Sequence, residues 1–222
     1  MLAGEAVVAI WNGIAPEARD EFYAWHLKEH IPERVGIPGF RRGRRYVAIT
    51  PDTQPDFFTL YETDTIEVIQ GSDYTNRLNA PTPWTQSVTK HFRDTARSLA
   101  RVLESHGPGV GGVLLAVRFD ADAAGLNPLR ALVREAAGAA RVCGAHLCAA
   151  DTVASGARTA ESEGRTDIQA PPNWFALIEA TDADAVAKLL PQSAIIAAGA
   201  RGPFHRGIYR LEHMRLKTAF SS

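Results

Sequence analysis

Two histidines, His26 and His30, stand four residues apart in the chain's densest run of reactive side chains, Trp25-His26-Leu27-Lys28-Glu29-His30-Ile31-Pro32-Glu33-Arg34. On a helix that spacing puts both imidazoles on one face, about a turn apart. A neutral imidazole near pH 7 both gives and takes a proton, as cyclisation, isomerisation or decarboxylation without a cofactor requires. With Glu29 the pair also spells His-x-x-Glu-His, a zinc-peptidase string. Zinc needs a third protein ligand. No supporting motif lies downstream, and Pro32 is expected to end or kink the helix at once, so neither a metal nor a cofactor is expected. The plainer alternatives are that one histidine packs or hydrogen-bonds near a sheet while the other lies at the surface, with His30 a helix cap instead of a pocket acid/base.

Downstream, Arg41, Arg42, Arg44 and Arg45 surround Gly43 and lead into Tyr46. Strand alternation would put Arg42, Arg44 and Tyr46 on one face and Arg41 and Arg45 on the other, with at least one set facing solvent. A basic strand of this kind is a solvated edge, an ion-pair partner, or the holder of a substrate carboxylate or phenolate. Aromatics with polar tips gather in the same half of the chain, as a pocket for a planar apolar ligand would require. Most must serve the core. The candidate catalytic set is His30 with Tyr46 and Tyr61. The candidate substrate contacts are Trp25, His26, Arg45, Tyr74 and Trp84, the last between Pro81 and Pro83 in a stretch that could form a lid or merely pack the rim.

The elements that would position these residues occur twice. Asp56-Phe57-Phe58-Thr59-Leu60-Tyr61-Glu62-Thr63 is echoed by Asn173-Trp174-Phe175-Ala176-Leu177-Ile178-Glu179-Ala180, and His91 to Arg97 by His205 to Arg210. Such self-similarity marks a repeated structural unit. An apolar run at Ala6–Trp11 reads as a strand, and Pro16-Glu17 opens a helix. Gly36-Ile37-Pro38-Gly39 is a turn, strands come next at 40–50 and 57–63, and a helix at 64–78 is interrupted near Gly71. Residues 79–85 read as irregular and 91–103 as a strand. The order is β-α-β-β-α-β, a split ferredoxin-like unit. The pattern restarts after a glycine-rich linker, with strands at 113–119, 139–151 and 174–180 and helices at 127–137 and 183–190. The expected division is residues 1–106, which carry the candidate pocket, linker 107–112, and a degenerate copy at 113–222 without the histidine cluster. Thr152 to Pro172, polar and closed by two prolines, is expected to be the most mobile internal segment or a functional flap.

Phe22, Trp25, the His30-Ile31-Pro32 step, Ile37-Pro38-Gly39-Phe40 and Arg45-Tyr46 resemble the dimeric α+β barrel superfamily, nearest its EthD-like branch, over about residues 5–105. The resemblance implies an α+β fold in which two ferredoxin-like units pair their antiparallel sheets into a barrel, here within one chain, with a pocket between the sheet and helices of one unit. Members of the superfamily include cofactor-free cyclases and isomerases, monooxygenases, haem-binding proteins and proteins with no known activity. The leading expectation is a cofactor-free enzyme acting on an aromatic or polyketide-like compound. The alternatives are a non-catalytic ligand-binding or assembly protein and a haem-binding or oxygen-dependent monooxygenase.

Composition narrows the partners. The 222 residues carry a formal net charge of −1 and are 45% hydrophobic, which gives no drive toward nucleic acid. No apolar run approaches the ~20 residues of a membrane span, and Met1 to Gly13 does not read as a signal peptide. The two cysteines, Cys143 and Cys148, would point to opposite faces of a strand and are expected to be reduced and buried, as suits a cytoplasmic protein. The expected partner is a small apolar or aromatic ligand, with a homodimer of the barrel left open.

Overall fold

The computed structural model describes residues 1–170 and 173–218. Eight strands run β1 Ala6–Ile14, β2 Phe40–Ala48, β3 Phe57–Thr63, β4 Phe92–His106, β5 Val113–Asp120, β6 Val142–Ala150, β7 Trp174–Ala180 and β8 Arg201–Leu216. Every pairing is antiparallel, and they close into a barrel in the order β1-β3-β2-β8-β5-β7-β6-β4. Closure leaves no strand edge to protect. It also explains why β3 and β7 are buried along their whole length: one face of each strand turns to the barrel interior and the other lies under helices.

The interior is filled by residues of one parity, including Val7, Ala9, Trp11, Tyr46, Phe58 and Leu60 from the first half and Leu114, Ala116, Cys148, Phe175, Leu177 and Tyr209 from the second. One end of this interior is charged. Arg44, fully buried, donates from Nη1 to Glu179 Oε2 at 2.7 Å and forms a second ion pair from Nη2 to Glu62 Oε1 at 2.8 Å. His146 contacts Glu179 at 3.2 Å, and the Gly111 amide donates to Glu179 at the same distance. Arg42 forks onto Glu62 at 2.7 and 2.6 Å. The arginine-rich strand is therefore an ion-pair partner, one of the roles expected of it, and little of it faces solvent. Only Arg41 is well exposed, while Arg44 and Arg45 are buried on opposite faces of β2. The interior carboxylates of Glu62, on the neighbouring β3, and of Glu179, across the barrel on β7, draw Arg42 and Arg44 inward.

Helices cover the outside: α1 Arg19–Trp25, α2 Ile31–Gly36, α3 Ile66–Gln70, α4 Ser72–Leu78, α5 Pro83–Thr89, α6 Leu126–Ala137, α7 Thr152–Ser155, α8 Ala183–Ala187 and α9 Gln192–Ala197. Two differ from expectation. Pro32 does not end the first helix: a π-helical turn, His26–His30, carries the chain from α1 into α2, where Pro32 sits in the first turn. Proline lacks an N–H and its ring crowds the carbonyl four residues back. A turn widened to the i→i+5 pattern, with the Ile31 amide donating to His26 O, accommodates both. In the stretch expected to be irregular, Pro83 instead starts α5, capped by the Thr82 hydroxyl accepting from the Thr85 amide.

The long connection after β6 joins it to its antiparallel neighbour β7 and has structure of its own. It forms α7 and a 3-10 turn at Ala160–Ser162, then bridges to β4 through Thr95 and Ile168. It lies over the outer face of the first half, and Pro171 and Pro172 fall outside the described residues. Both cysteines are free, Cys148 buried but Cys143 only partly so. Among the described residues no helix is long and apolar enough to cross a membrane.

Candidate functional site

The π-helical turn brings His26 and His30 into near-register. Their rings stack with centroids 5.4 Å apart and an interplanar angle of 20°. Trp25 packs against His30 at 4.2 Å, and Phe22 stacks on His26 at 4.9 Å. The Trp25 indole is fixed by a 3.1 Å bond from Nε1 to Thr85 Oγ1. Thr82 and Thr85 in turn donate to Glu29 at 2.6 and 3.2 Å. Glu29, the middle acid of the zinc-peptidase string, thus ties α5 to the histidine turn. Among the described residues no group of three metal-ligating side chains comes together.

Trp25, His26 and His30 line a cavity of about 490 Å³ between the outer face of β4-β1-β3 and the segment after β6. Its floor comes from Ile10, Asn12, Thr59, Thr95 and Arg97, and its wall from Phe92. Residues 155–170 roof it, with Arg158, Glu161 and Arg165 at the rim. The second half of the chain therefore closes the cavity of the first. Three sets of contacts fasten the roof. Arg34 pairs with Glu161; Arg165 donates to Thr95 Oγ1 at 2.7 Å and forks onto Asp167; and the Leu99 amide donates to Ser155 Oγ at 2.9 Å.

Both imidazoles are almost fully buried, and Nδ1 of each has no hydrogen-bond partner. Burial is the main reason each is held well below the usual imidazole pKa. For His26 the Arg45 guanidinium adds to it, for His30 that of Arg34. Both rings are therefore neutral at pH 7. Two neutral imidazoles opening on a partly apolar cavity can accept a proton or donate a hydrogen bond to a bound ligand.

The other candidates lie elsewhere. Tyr46 points into the barrel interior, against Phe58 at 5.7 Å and under the Arg44 guanidinium. It and the cavity are on opposite faces of the sheet. Tyr61 packs behind His30 at 6.3 Å and against Phe40, and does not line the cavity. Tyr74 packs on Phe40 at 5.5 Å. Arg45 covers the Tyr23 ring at 4.4 Å and pairs with Glu212 at 3.3 Å. Trp84 donates from Nε1 to Glu21 at 2.5 Å on the outer side of α5. Sequence reasoning missed the floor. Asn12, Thr59 and Thr95 carried a usable signal, as polar residues on outward positions of otherwise apolar strands. The roof segment stood out by its length and polarity, as mobile or a functional flap, but nothing local states which half it covers.

No protein-family model and no curated protein matches the chain. Solved structures do. An anthrone oxidase-like protein superposes with a TM-score of 0.61 at 11% identity, over 95% of this chain and 92% of that one. A monooxygenase-like protein from Lactobacillus acidophilus superposes with a TM-score of 0.58 at 9% identity, over 96% of both chains. A chlorite dismutase-like protein superposes with a TM-score of 0.52 at 10% identity, over 95% and 96%. At these identities the likeness is one of fold: this chain shares with them an α+β fold built on a closed antiparallel barrel.

Proposed function

We propose that the chain is a cofactor-free enzyme that moves a proton on a small planar aromatic or polyketide-like compound, with His30 as acid/base and His26 as its neighbour in the cavity. One observation carries this reading: two stacked, neutral imidazoles with unpartnered Nδ1 atoms open on a cavity walled by Trp25 and Phe92. A buried polar atom without a partner costs stability and persists where a ligand or function compensates. In the proposed step a ring or carbonyl-adjacent C–H gives its proton to an imidazole nitrogen. The electron pair delocalises onto the substrate oxygen as an enolate or phenolate, and the Arg97 guanidinium on the floor stabilises that charge. Return of the proton at another atom gives isomerisation; reaction of the carbanion with dioxygen gives oxygenation. The anthrone oxidase-like fold relative favours a substrate of this carbon-acid type.

Haem, carried by some members of the resembling superfamily, fits this pair poorly. A metal-ligating histidine normally has its other ring nitrogen held by a carboxylate, carbonyl or water, and Nδ1 of neither imidazole has such a partner among the described residues. No step is routed through it.

The finer placement is part of the same proposal. A tandem duplication is supported by the strand orders β4-β1-β3-β2 and β8-β5-β7-β6, which repeat in the two halves of the barrel. The His30-Ile31-Pro32 step supports an EthD-like affinity for the first half. Two free cysteines suit a reducing, cytoplasmic setting.

Anthrone is a suitable probe. Under argon in D₂O, the wild-type protein should speed exchange of its methylene hydrogens, read by NMR, and His30→Ala should abolish that. In air, oxygen uptake with formation of anthraquinone and water would specify oxygenation. Binding of anthrone with no exchange and no oxygen uptake would leave a ligand-binding protein and defeat the enzymatic reading.

A further inference from the structure

A second cavity of about 250 Å³ lies beyond the far side of Gln169 and Ala170, which wall both spaces. It is lined by Arg118, Phe119, Asp120, Pro203 and His205. Arg118 is the unusual member. It lies at the end of the barrel opposite the Arg44 cluster and is only 8% exposed. Its guanidinium sits 4.9 Å over the Trp11 ring. It has no hydrogen bond and no ion pair among the described residues, in a molecule where Arg34, Arg42, Arg44, Arg45 and Arg165 all have carboxylate partners.

A buried, unpaired cation is costly. The Trp11 face offsets a fraction of that cost by cation–π attraction, but leaves the guanidinium's planar donor edge unused. The groups around it do not supply an anion. His205 stands close enough for the positive charge of Arg118 to disfavour its protonation. Asp120, two residues along β5, is separated from Arg118 by a shift in the pairing with β8. Its field falls on Arg201 instead. Burial therefore pushes the Arg118 pKa down with no carboxylate to oppose it.

The geometry points to a second ligand site, in which Arg118 holds the carboxylate of a small monoacid at the mouth of the barrel. The guanidinium fork matches a carboxylate bidentately. The space is below the usual 300–1,000 Å³ of a drug-sized ligand site, so the acid is small. Asp120 on the same wall disfavours a polyanion such as phosphate by like-charge repulsion. This site does not depend on the proton-transfer reading of the first cavity, and it stands or falls separately.

Benzoate and its neutral isostere benzamide test it. Benzoate should raise the thermal midpoint of the wild-type protein in a saturable way, as a ligand of the folded state must, and benzamide should not. Arg118→Met should weaken the benzoate response by at least about tenfold in Kd, equivalent to ~1.4 kcal/mol. Arg118→Lys should retain part of it. A second readout uses the wild-type protein alone, so it survives a failure of Arg118→Met to fold: benzoate should shift the Trp11 indole N–H resonance. An equal response to benzamide, or an unchanged benzoate response in Arg118→Met, would overturn the proposal. So would a benzoate effect that disappears in His30→Ala but persists in Arg118→Met, since it would place the anion in the main cavity. Loss of thermal stability in Arg118→Met with no anion response in the wild type would make Arg118 a purely structural partner of Trp11.

Discussion

Arg44 on β2 donates to Glu179 on β7 at 2.7 Å inside the barrel, and so joins the two halves of the chain at a point sealed from water. Glu62 approaches the same guanidinium, giving one deeply buried cation between two buried carboxylates. Removing one member of such a cluster leaves the others uncompensated, at a cost of about 3–5 kcal/mol. Arg44→Met should therefore lower the urea unfolding free energy by that amount, with Arg44→Met/Glu179→Gln recovering part of it. A loss below about 1 kcal/mol, as for a solvated surface pair, would show that the cluster is not sealed.

The same cluster sets an acid limit. Burial alone would raise the Glu179 pKa, but the His146 hydrogen bond and the Arg44 charge outweigh it and hold the carboxyl at about 2. A carboxyl depressed in the folded state stabilises the fold above its unfolded value and loses that contribution as pH falls toward the folded value. Stability should thus decline between about pH 4.5 and 2, where the unfolded chain binds the proton first. Glu179→Gln should flatten this part of the profile, and an unchanged acid slope would contradict the assignment.

For the histidines the sign is fixed by the depressed folded value. An imidazole held neutral in the fold favours folding above the ordinary imidazole pKa, and that contribution is lost as pH drops below about 6.5. Proton transfer by the same rings should be level from pH 8 down through 6.5, since they stay neutral there. An inflection in the exchange rate near 6.5 would mean that the acting group is solvent-exposed. His30→Ala should cost on the order of 10²–10⁴ in rate.

Tyr46 offers a contrast. Its hydroxyl is buried in the barrel without a partner, on the opposite face of the sheet from the cavity. Tyr46→Phe removes an unsatisfied polar atom, so stability should hold or rise, by up to about 1–3 kcal/mol. Turnover should remain within about twofold. A large kinetic loss would bring the barrel interior into the reaction.

The roof gives a mechanical test. Glu161→Gln removes the Arg34 partner on the roof but leaves Glu33 beside Arg34 at 3.0 Å. Cleavage by added protease at residues 156–165 should accelerate severalfold, while the global midpoint moves by only a few degrees. Equal acceleration at other sites would show global destabilisation.

The strand sequence was readable because apolar alternation and the repeated Phe-x-Leu-x-Glu pattern are local properties. The cavity was only half readable. His26, His30 and Trp25 announced themselves by spacing on one helix face. Tyr46 looked equally suitable in sequence, yet the parity that puts it on one face of β2 cannot say which face is interior and which adjoins a cavity. That is decided by barrel closure, a long-range event. For the same reason the arginine-rich strand is readable as an ion-pair partner, but the identity of Glu179 as the partner of Arg44, far away in sequence, is not. The polar character of Thr152 to Pro172 reads as mobility, and composition cannot foresee that Glu161, Asp167 and the Ala160 amide find partners in Arg34, Thr95 and Asn79.

The wide turn at His26–His30 has a consequence for insertions and deletions. It holds one residue of slack relative to a regular helix. Deleting Leu27 or Lys28 would tighten the helix to its ordinary pitch and leave the facing of α2 relative to α1 nearly unchanged, because the widened turn absorbs the loss. It would also bring the Pro32 ring back against the carbonyl four residues earlier. A one-residue gap at this turn in an alignment with a distant homologue is therefore compatible with the same opening, whereas a gap inside α1 or α2 turns every later residue of the helix by about 100°.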